Sequence, residues 1–359
     1  MKKSKAKTGV LLVNLGTPDS PETADVRKYL REFLMDKRVI DIPFISRWFL
    51  INMIIAPFRA PKSAKVYKQL WEERGSPLKF YGVDVKELLQ KELGDDYLVS
   101  LGMRYQSPSI ASALEELKDA AVNNIILIPL FPQYASASTG SVIDKVMELM
   151  KDWQVIPSLS IVSNFLDDPL FIEAFRQIAQ KYMDKTNYDY FIFSYHGLPE
   201  RQIKKASVDN YCQLSDKCCS VYHKKNKYCY RAQCFHTSRL LAEALNIPED
   251  KYEVSFQSRL GKDPWIKPYT DLIIRDLPGK DYKKVLAFSP SFIADCLETT
   301  VEVGDEFNEI FKEAGGEEWQ LVESLNDSPI WIECLKQMVL NNNPISNYEL
   351  QSSKNLKIE

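Results

Sequence analysis

Hydrophobic positions along the chain fall into short continuous runs, separated by longer segments in which apolar residues recur every three or four positions. Continuous runs are typical of strands buried on both faces of a parallel sheet, and the longer spacing predicts amphipathic helices. The predicted strands are Gly9–Leu15, Tyr97–Met103, Asn124–Phe131, Tyr188–Tyr195, Tyr252–Phe256 and Lys284–Phe288. The predicted helices are Val85–Leu93, Ile110–Ala121, Leu170–Met183 and Thr237–Leu245. Their alternation predicts an α/β fold.

The pattern occurs twice, over about residues 8–160 and again over about residues 165–310. A chain of 359 residues is also longer than one hydrophobic core usually organises. We therefore predict an N-terminal domain of residues 1–163, a C-terminal domain of residues 164–325, and a terminal helix and tail of residues 326–359. Ligands bind beyond the carboxyl ends of the strands in such sheets, so the site is expected there.

One apolar stretch, residues 48–58 with the sequence WFLINMIIAPF, does not follow this pattern. It is shorter than the about 20 residues that a membrane-spanning helix needs. Two interpretations are open. The stretch is either a buried helix, or an exposed apolar surface that touches a membrane or admits an apolar ligand.

Composition narrows the functional class mainly by exclusion. The net charge of −3 gives no reason to expect a nucleic acid partner. Neither a Gly-x-Gly-x-x-Gly fingerprint nor a P-loop lysine motif is present, so no nucleotide is expected. The basic N-terminus lacks a cleavage-site pattern, and an odd count of 7 cysteines argues against a disulfide framework. A cytoplasmic location is therefore expected.

Two constellations carry candidate chemistry. His196 directly follows a predicted buried strand, in FIFSYHGLP, so its imidazole is expected at the ligand edge of the sheet. After another strand, FIADCLETTVEVGDE spaces its acidic side chains by three or four: Asp295, Glu298, Glu302 and then Asp305 or Glu306. On a helix they would form one acidic row. Alone, the histidine is explained by a strand cap and the row by a solvated face; beside a cleft, both suit proton transfer and a divalent cation in transit.

Aromatic and arginine side chains in the candidate loops form a third group. Tyr105, Tyr134 and Trp265 offer flat rings that would stack on a large planar ligand. Arg104 would bind carboxylates with two parallel hydrogen bonds. Each of these residues alone is explained equally well by ordinary packing.

The cysteines are concentrated in one segment, YCQLSDKCCSVYHKKNKYCYRAQC, which contains Cys212, Cys218, Cys219, Cys229 and Cys234. Their spacing does not match the paired C-x2-C of zinc ribbons. Five soft ligands so close together still indicate a metal. The segment could instead bind zinc, with His223 or His236 as a further ligand, or its cysteines could be free thiols in a reducing cytosol.

Read in order, several motifs resemble the ferrochelatase family over roughly residues 8–330: VNLGTPDSPETADVRKYLREFL, GMRY, FPQYASASTGS, SYHGLPE, SFQSRLGKDPW and ADCLETTVEVGDE. The resemblance implies two Rossmann-like, chelatase-type domains with parallel sheets flanked by helices and a porphyrin cleft between them. It implies an enzyme that inserts Fe²⁺ into protoporphyrin IX to form protohaem, with release of two protons.

The resemblance also implies roles for individual residues. His196 and Glu298 match the family's essential pair, with His196 as proton acceptor and Glu298 as iron guide. A relay would consist of Asp295, Glu302 and Asp305. The porphyrin pocket would include Arg59, Tyr67, Arg104, Tyr105, Tyr134 and Trp265. Residues 48–58 would be the entrance for the ring, in contact with the inner face of the cytoplasmic membrane.

The chain departs from animal members of the family at two positions. Cys296 stands where those members have histidine and Leu15 where they have methionine, which favours a bacterial-type enzyme. Some members carry a [2Fe–2S] cluster, so four of the five clustered cysteines are expected to hold one. The sequence does not identify which of the five is not a ligand. A coproporphyrin ferrochelatase, a cobalt or sirohydrochlorin chelatase and a non-catalytic tetrapyrrole-binding protein stay as alternatives, and the oligomeric state is not determined.

Overall fold

The computed structural model describes residues 8–259, 261 and 263–343, so the predicted tail from residue 344 onward lies outside the described residues. Two parallel four-stranded sheets form the framework, in the orders β2-β1-β3-β4 and β6-β5-β7-β8. The strands are β1 (Thr8–Gly16), β2 (Tyr97–Tyr105), β3 (Asn124–Pro129), β4 (Ser158–Ile161), β5 (Tyr190–His196), β6 (Tyr252–Gln257), β7 (Lys284–Phe288) and β8 (Glu318–Leu321). The predicted α/β fold is confirmed.

Helices cover both sheets. The α-helices are α1 (Thr23–Met35), α2 (Phe44–Phe49), α3 (Ala56–Leu70), α4 (Pro77–Leu93), α5 (Ile110–Asp119), α6 (Ser141–Met150), α7 (Pro169–Met183), α8 (Glu200–Lys205), α9 (Asp216–Cys219), α10 (Tyr230–Ala244), α11 (Thr270–Asp276), α12 (Phe307–Glu313) and α13 (Pro329–Asn341). Three segments are π-helical, Leu50–Ile55, Ser136–Gly140 and Leu297–Glu306. Short 3₁₀ turns occur at Val208–Asn210, Glu249–Lys251 and Pro278–Lys280.

All six predicted strands are present, because their continuous apolar runs are buried on both faces of a sheet. The four predicted helices also appear, but α4 begins at Pro77 and α10 at Tyr230, about two turns before their predicted starts at Val85 and Thr237. The sequence pattern missed β4 and β8. Both are short strands at a sheet edge, with side chains that are mostly only half-buried, so they lack a continuous apolar run.

The first sheet lies within residues 8–161 and the second within residues 190–321, and the domain boundaries between them stay a prediction. One hydrophobic cluster takes buried residues from both sheets, among them Val10 and Phe193. Aromatic rings of α7 and α13 extend this core, with Phe165 lying 5.5 Å from both Phe171 and Trp331. Burying such a side chain contributes about 1.5–3 kcal/mol. The shared core therefore fixes one half of the chain against the other.

A second contact between the halves involves the long π-helical segment. Val301 of this segment packs in a cluster with Tyr29 of α1, Tyr67 of α3 and Tyr105 of β2. The segment follows β7 of the second sheet, whereas its partners belong to the first half of the chain. The loops beyond the carboxyl ends of both sheets thus meet at one junction, where parallel α/β folds place their ligands.

Candidate active site

His196 is the last residue of β5, at the carboxyl end of a strand in the middle of its sheet, as the sequence predicts. Its Nδ1 lies 2.7 Å from the main-chain oxygen of Gly197. A carbonyl oxygen only accepts, so Nδ1 carries the proton and Nε2 is left as the basic nitrogen. The imidazole therefore has the tautomer that a proton acceptor requires.

Gln257, the partner of His196 on β6, connects the histidine strand to the acidic segment. Its amide is buried and donates 2.7 Å to the main-chain oxygen of Glu298 and 3.2 Å to the carboxylate of Glu302. Its own oxygen accepts from Ser194 Oγ at 2.6 Å. This side chain was not singled out by sequence reasoning, although it lies in the quoted motif SFQSRLGKDPW. It sets where the π-helical segment begins relative to His196.

Glu302 accepts hydrogen bonds from both donors of Ser258, namely the main-chain N–H at 2.9 Å and the side-chain hydroxyl. Burial raises the pKa of Glu302 above its usual range, although the Ser258 hydroxyl and a positive charge on His196 both lower it, and Glu298 raises it. His196, Glu298 and Glu302 therefore act on one another electrostatically. Their proximity is the arrangement that the sequence predicts for proton transfer.

Glu298 lies at the junction between the halves, among phenols of the first half. Burial and then the Glu298 carboxylate raise the pKa of Tyr67. The same two causes, in the same order, raise the pKa of the Cys296 thiol. Cys296 is the N-cap residue of the π-helical segment, and its main-chain N–H donates to Thr299 Oγ1 at 2.9 Å. Glu298 is thus held at the first turn of a helix, a position that favours a negative charge.

One member of the predicted relay, Asp295, lies elsewhere than expected. Asp295 precedes the helix, so the expectation of a single helical row that includes it is wrong. Its carboxylate instead accepts from Ser324 N at 3.0 Å and from Asn326 Nδ2 at 2.8 Å. Asp305 is exposed. Because Glu302 is followed at the same four-residue step by Glu306, that residue continues the row toward solvent, and burial and neighbouring carboxylates raise the pKa of Glu306.

The predicted pocket residues Arg104 and Tyr105 belong to a buried polar network. Arg104 donates to Asp36 at 2.7 Å and to Ser141 Oγ at 2.6 Å, and Tyr105 donates to Asp36 at 2.9 Å. Burial would raise the pKa of Asp36, but hydrogen bonds from Ser141 and the Arg38 N–H, with the charge of Arg104, outweigh it and lower the pKa. Tyr105 is fully buried, so the expectation that its ring stacks on a ligand is wrong. Its side chain instead supports the pocket from behind.

The other predicted pocket residues surround the same junction. The Trp265 ring lies 6.3 Å from the His196 ring. Tyr67 is on α3 beside Glu298, and Arg59 is exposed one turn from the start of the same helix. Tyr134 follows β3, and its ring lies 6.5 Å from that of Tyr228. The role of these side chains around a porphyrin stays a prediction.

Residues 44–58 form an exposed apolar surface, here called the apolar lip. Its exposed side chains are Phe44, Ile45, Trp48, Phe49, Met53, Ile54 and Phe58. Ile45 is 82% exposed and Phe58 is 73% exposed, whereas Ile51 is buried. The buried-helix interpretation of residues 48–58 is therefore wrong for most of the stretch. So many neighbouring exposed apolar side chains mark an interaction surface.

A salt-bridge cluster ties the base of the apolar lip to the second half. Asp41 accepts from Arg201 Nε at 2.7 Å and from Lys205 Nζ at 2.6 Å, both on α8 directly after the His196 loop. Gln202 donates to the main-chain oxygen of Val39 at 3.3 Å. Burial would raise the pKa of Asp41, but its bonds to Arg201 and Lys205 lower it. The mouth of the junction is thereby closed on one side.

Four of the clustered cysteines lie together, namely Cys212, Cys218, Cys219 and Cys229. Hydrogen bonding to Cys229 lowers the pKa of Cys212 and of Cys219, each to about 6, which favours the thiolate form at these positions. The Cys218 and Cys219 sulfurs are 3.9 Å apart. A small cavity of about 10 Å³ lies between Cys212, Cys218 and Cys229. We call these four residues the cysteine cluster.

Cys234, the fifth cysteine of the segment, lies on α10 and interacts electrostatically with Cys219. It is fully buried in α10, and burial raises the pKa of its thiol. Across the described ranges 8–259, 261 and 263–343, no three His, Cys, Asp or Glu side chains are arranged to hold a single metal ion. Over the same part of the chain, no helix is long and apolar enough to cross a membrane.

Comparison with solved structures identifies the fold. SirB from Bacillus subtilis with Fe³⁺ superimposes with a TM-score of 0.53, covering 95% of this chain and 97% of that chain at 11% identity. A sirohydrochlorin chelatase SirB from Bacillus subtilis subspecies spizizenii, in complex with cobalt, gives a TM-score of 0.51 at 10% identity, covering 94% of this chain and 97% of that chain. The chain therefore shares its two-sheet fold with chelatases of this class.

Comparison of sequences identifies the family within that class. The Ferrochelatase family matches residues 7–343. A ferrochelatase of Legionella pneumophila (strain Lens) is 46% identical over 333 residues, covering 93% of this chain and 98% of that protein. One from Coxiella burnetii (strain Dugway 5J108-111) is 42% identical over 340 residues, covering 94% of each. The chain belongs to the ferrochelatase family.

Proposed function

We propose that the protein inserts Fe²⁺ into protoporphyrin IX to form protohaem, with release of two protons. The observation that carries this proposal is the mutual placement of His196, Glu298 and Glu302 at the junction of the two halves. Insertion exchanges two pyrrole protons for one dication, so the site needs a base and an oxygen ligand on the path of the metal. Nε2 of His196 supplies the base and the Glu298 carboxylate the oxygen ligand.

Protons leave along the acidic row. His196 accepts a pyrrole proton at Nε2 and passes it to Glu302, whose raised pKa makes it a better transient proton acceptor than an ordinary carboxylate. Glu306 then carries the proton toward solvent, because it continues the row and is exposed. In this proposal Glu306 replaces Asp305, and Asp295 orients the loop before the helix instead of transferring protons.

The porphyrin lies between the two halves, with Tyr67, Tyr134 and Trp265 around the ring and Arg59 at its carboxylates. Arg104 and Tyr105 stabilise the wall behind the ring through Asp36. The ring enters over the apolar lip, which we propose rests on the inner face of the cytoplasmic membrane. Apolar side chains with exposures such as that of Phe58 gain free energy when they enter the acyl region.

The cysteine cluster fits a [2Fe–2S] cofactor. Such a cofactor takes four thiolates, two on each iron, and it needs no set of ligands closed around a single ion. The pKa values of Cys212 and Cys219 are lowered, which favours the thiolate form that such a cofactor needs, and Cys218 and Cys229 lie beside them. Cys234 is the spare cysteine. The cofactor would supply a rigid, covalently linked core for a loop that is otherwise short of regular structure.

An anaerobic assay tests the proposed reaction. Purified protein is mixed with Fe²⁺ and either protoporphyrin IX or coproporphyrin, and the shift from free-base to metalloporphyrin absorbance is followed. Conversion of protoporphyrin is expected for the native protein, and His196→Ala should bind the ring without converting it. The matched control His236→Ala, a histidine outside the junction, should keep its rate. If coproporphyrin is converted faster than protoporphyrin, then coproporphyrin is the substrate. If either ring binds and neither is converted, then the proposed insertion reaction is wrong.

A further inference from the structure

Helix α10 links the cysteine cluster to the strand that ends in His196. It begins at Tyr230, directly after Cys229, which is its N-cap residue. Tyr230 is buried, and its hydroxyl donates to the main-chain oxygen of His196 at 3.0 Å. Burial raises the pKa of Tyr230, so the phenol keeps its proton and remains a donor at neutral pH. Tyr230, which directly follows Cys229 in the sequence, therefore contacts His196, the proposed proton acceptor.

The peptide between His196 and Gly197 is held from two sides. Its carbonyl accepts from Tyr230, and its N–H donates to the main-chain oxygen of Gln257 at 2.9 Å. A Cβ at position 197 would lie 2.9 Å from that oxygen and 3.1 Å from the Trp265 ring, so only glycine permits this approach. The following carbonyl, that of Gly197, accepts from Nδ1 of His196. Fixing this peptide thus fixes the acceptor that sets the imidazole tautomer.

The same helix also contacts the opposite wall. Gln233 is fully buried, accepts from the main-chain N–H of Tyr134 at 2.7 Å and donates to the main-chain oxygen of Lys227 at 2.8 Å. Its main-chain N–H donates to the oxygen of Cys229 at 3.0 Å. Within its first turn, α10 therefore joins the cysteine loop to both sides of the junction.

We propose that Tyr230 is a positioning residue for iron insertion, and that it makes the geometry of His196 depend on the cysteine cluster. A displacement of Cys229 moves the start of α10, and the Tyr230 hydroxyl carries this movement to the His196 peptide. The catalytic consequence rests on the proposed function, whereas the structural link does not.

Tyr230→Phe tests the link by removing one hydroxyl and no other atom. The matched control is Tyr222→Phe, because Tyr222 lies in the same cysteine loop and also donates to a main-chain oxygen, that of Lys227 at 3.2 Å. With only 3 histidines in the chain, ¹⁵N-histidine NMR at about pH 8 reports the His196 tautomer directly. The native protein and Tyr222→Phe should show Nδ1–H alone. Tyr230→Phe should show a mixture of tautomers with the protein still folded.

Turnover gives the second readout. In Tyr230→Phe, kcat should fall about tenfold while the porphyrin Kd changes less than twofold, since only the reacting geometry is altered. An unchanged tautomer in Tyr230→Phe overturns the proposal. If the native protein shows no turnover but the tautomer still changes, then the proposed function fails and the positioning role stands.

A double-mutant cycle tests the dependence on the cysteine cluster. Cys229→Ser should lower kcat in the native background and shift the His196 resonances, but should lower kcat by less than twofold further in the Tyr230→Phe background. Additive losses would show that the cysteine cluster acts on the reaction by another route, which would overturn this part of the proposal. The tautomer of folded Cys229→Ser provides the same comparison if its turnover is too low to measure.

Discussion

Removing the Ser258 hydroxyl should shift the pH dependence of iron insertion, because it removes one of the hydrogen bonds that stabilise ionised Glu302. The carboxylate is balanced between burial, which raises its pKa, and the Ser258 hydroxyl, His196 and Gln257, which lower it. A hydrogen bond to a charged group contributes about 1.5–3 kcal/mol. One pKa unit corresponds to about 1.36 kcal/mol, so Ser258→Ala should raise the pKa of Glu302 by about one to two units.

The sign of the expected change follows from the proposed relay. Glu302 accepts a proton only when it is ionised, so a higher pKa moves the acidic limb of the kcat profile to higher pH by the same one to two units. The main-chain N–H of Ser258 donates at 2.9 Å and is not removed by the substitution, so Glu302 keeps one hydrogen bond in the variant. The measurement is kcat against pH for anaerobic insertion at saturating porphyrin, where the profile reports groups in the substrate complex.

Ser109→Ala is the control for a general loss of stability. The Ser109 hydroxyl caps α5 by accepting from Ser112 N at 3.1 Å, so its removal costs about 1 kcal/mol of folding free energy. Helix α5 packs against β1, β2 and α6 of the first sheet, so the acidic limb of Ser109→Ala should coincide with that of the native protein. An acidic limb that stays in place in Ser258→Ala would refute the reasoning that Glu302 receives the proton.

Three further predictions test other parts of the molecule. Cys229→Ser should remove the visible absorbance of a [2Fe–2S] cofactor, while Cys334→Ser, a buried thiol outside the cysteine cluster, should retain it in anaerobic spectra. Asp36→Asn should lower the free energy of unfolding by about 3 kcal/mol at neutral pH, since it leaves a buried arginine without its partner. The folded-state pKa of Asp36 is lowered, so its contribution is present above the unfolded-state pKa of about 3.9 and is lost as pH falls below it; equal stability of the two proteins at neutral pH in urea titrations would contradict this. Gly197→Ala should lower Tm and kcat because its Cβ would lie 2.9 Å from a main-chain oxygen, whereas Gly279→Ala, with nothing within 4 Å, should change neither.

The sequence was informative where burial is complete. Continuous apolar runs mark the central strands, and the strand that ends in His196 is one of them, so the position of the imidazole at the sheet edge follows from the pattern. Edge strands such as β4 carry half-buried side chains, and their pattern resembles that of a loop. Periodicity therefore predicted the well-buried strands, including the edge strands β2 and β6, and missed the short, half-buried edge strands β4 and β8.

Within the site, the sequence located the residues but predicted neither the type of helix that carries them nor how deeply they are buried. A pattern of three or four steps cannot distinguish an α-helix from the π-helical segment, so Asp305 and Glu306 were equivalent in sequence. Asp295 belongs to a loop because its carboxylate bonds to Ser324 and Asn326, which are remote in sequence. Tyr105 is buried by packing that no local pattern reports. Long-range contacts decided each of these outcomes.

The two sheets share one strand order, and in both halves the strand third in that order is followed by a π-helical segment. A chain of half this length could pair with a second copy of itself and form a junction with twofold symmetry, in which both walls would carry the same side chains. Joining the halves in one chain removes that restriction. One wall here ends in hydroxyl groups, including Ser136 and Ser138, and the other in carboxylates, including Glu298 and Glu302. Covalent linkage thus allows an asymmetric reaction, in which a metal arrives and protons leave on one side of a ring that is held from the other.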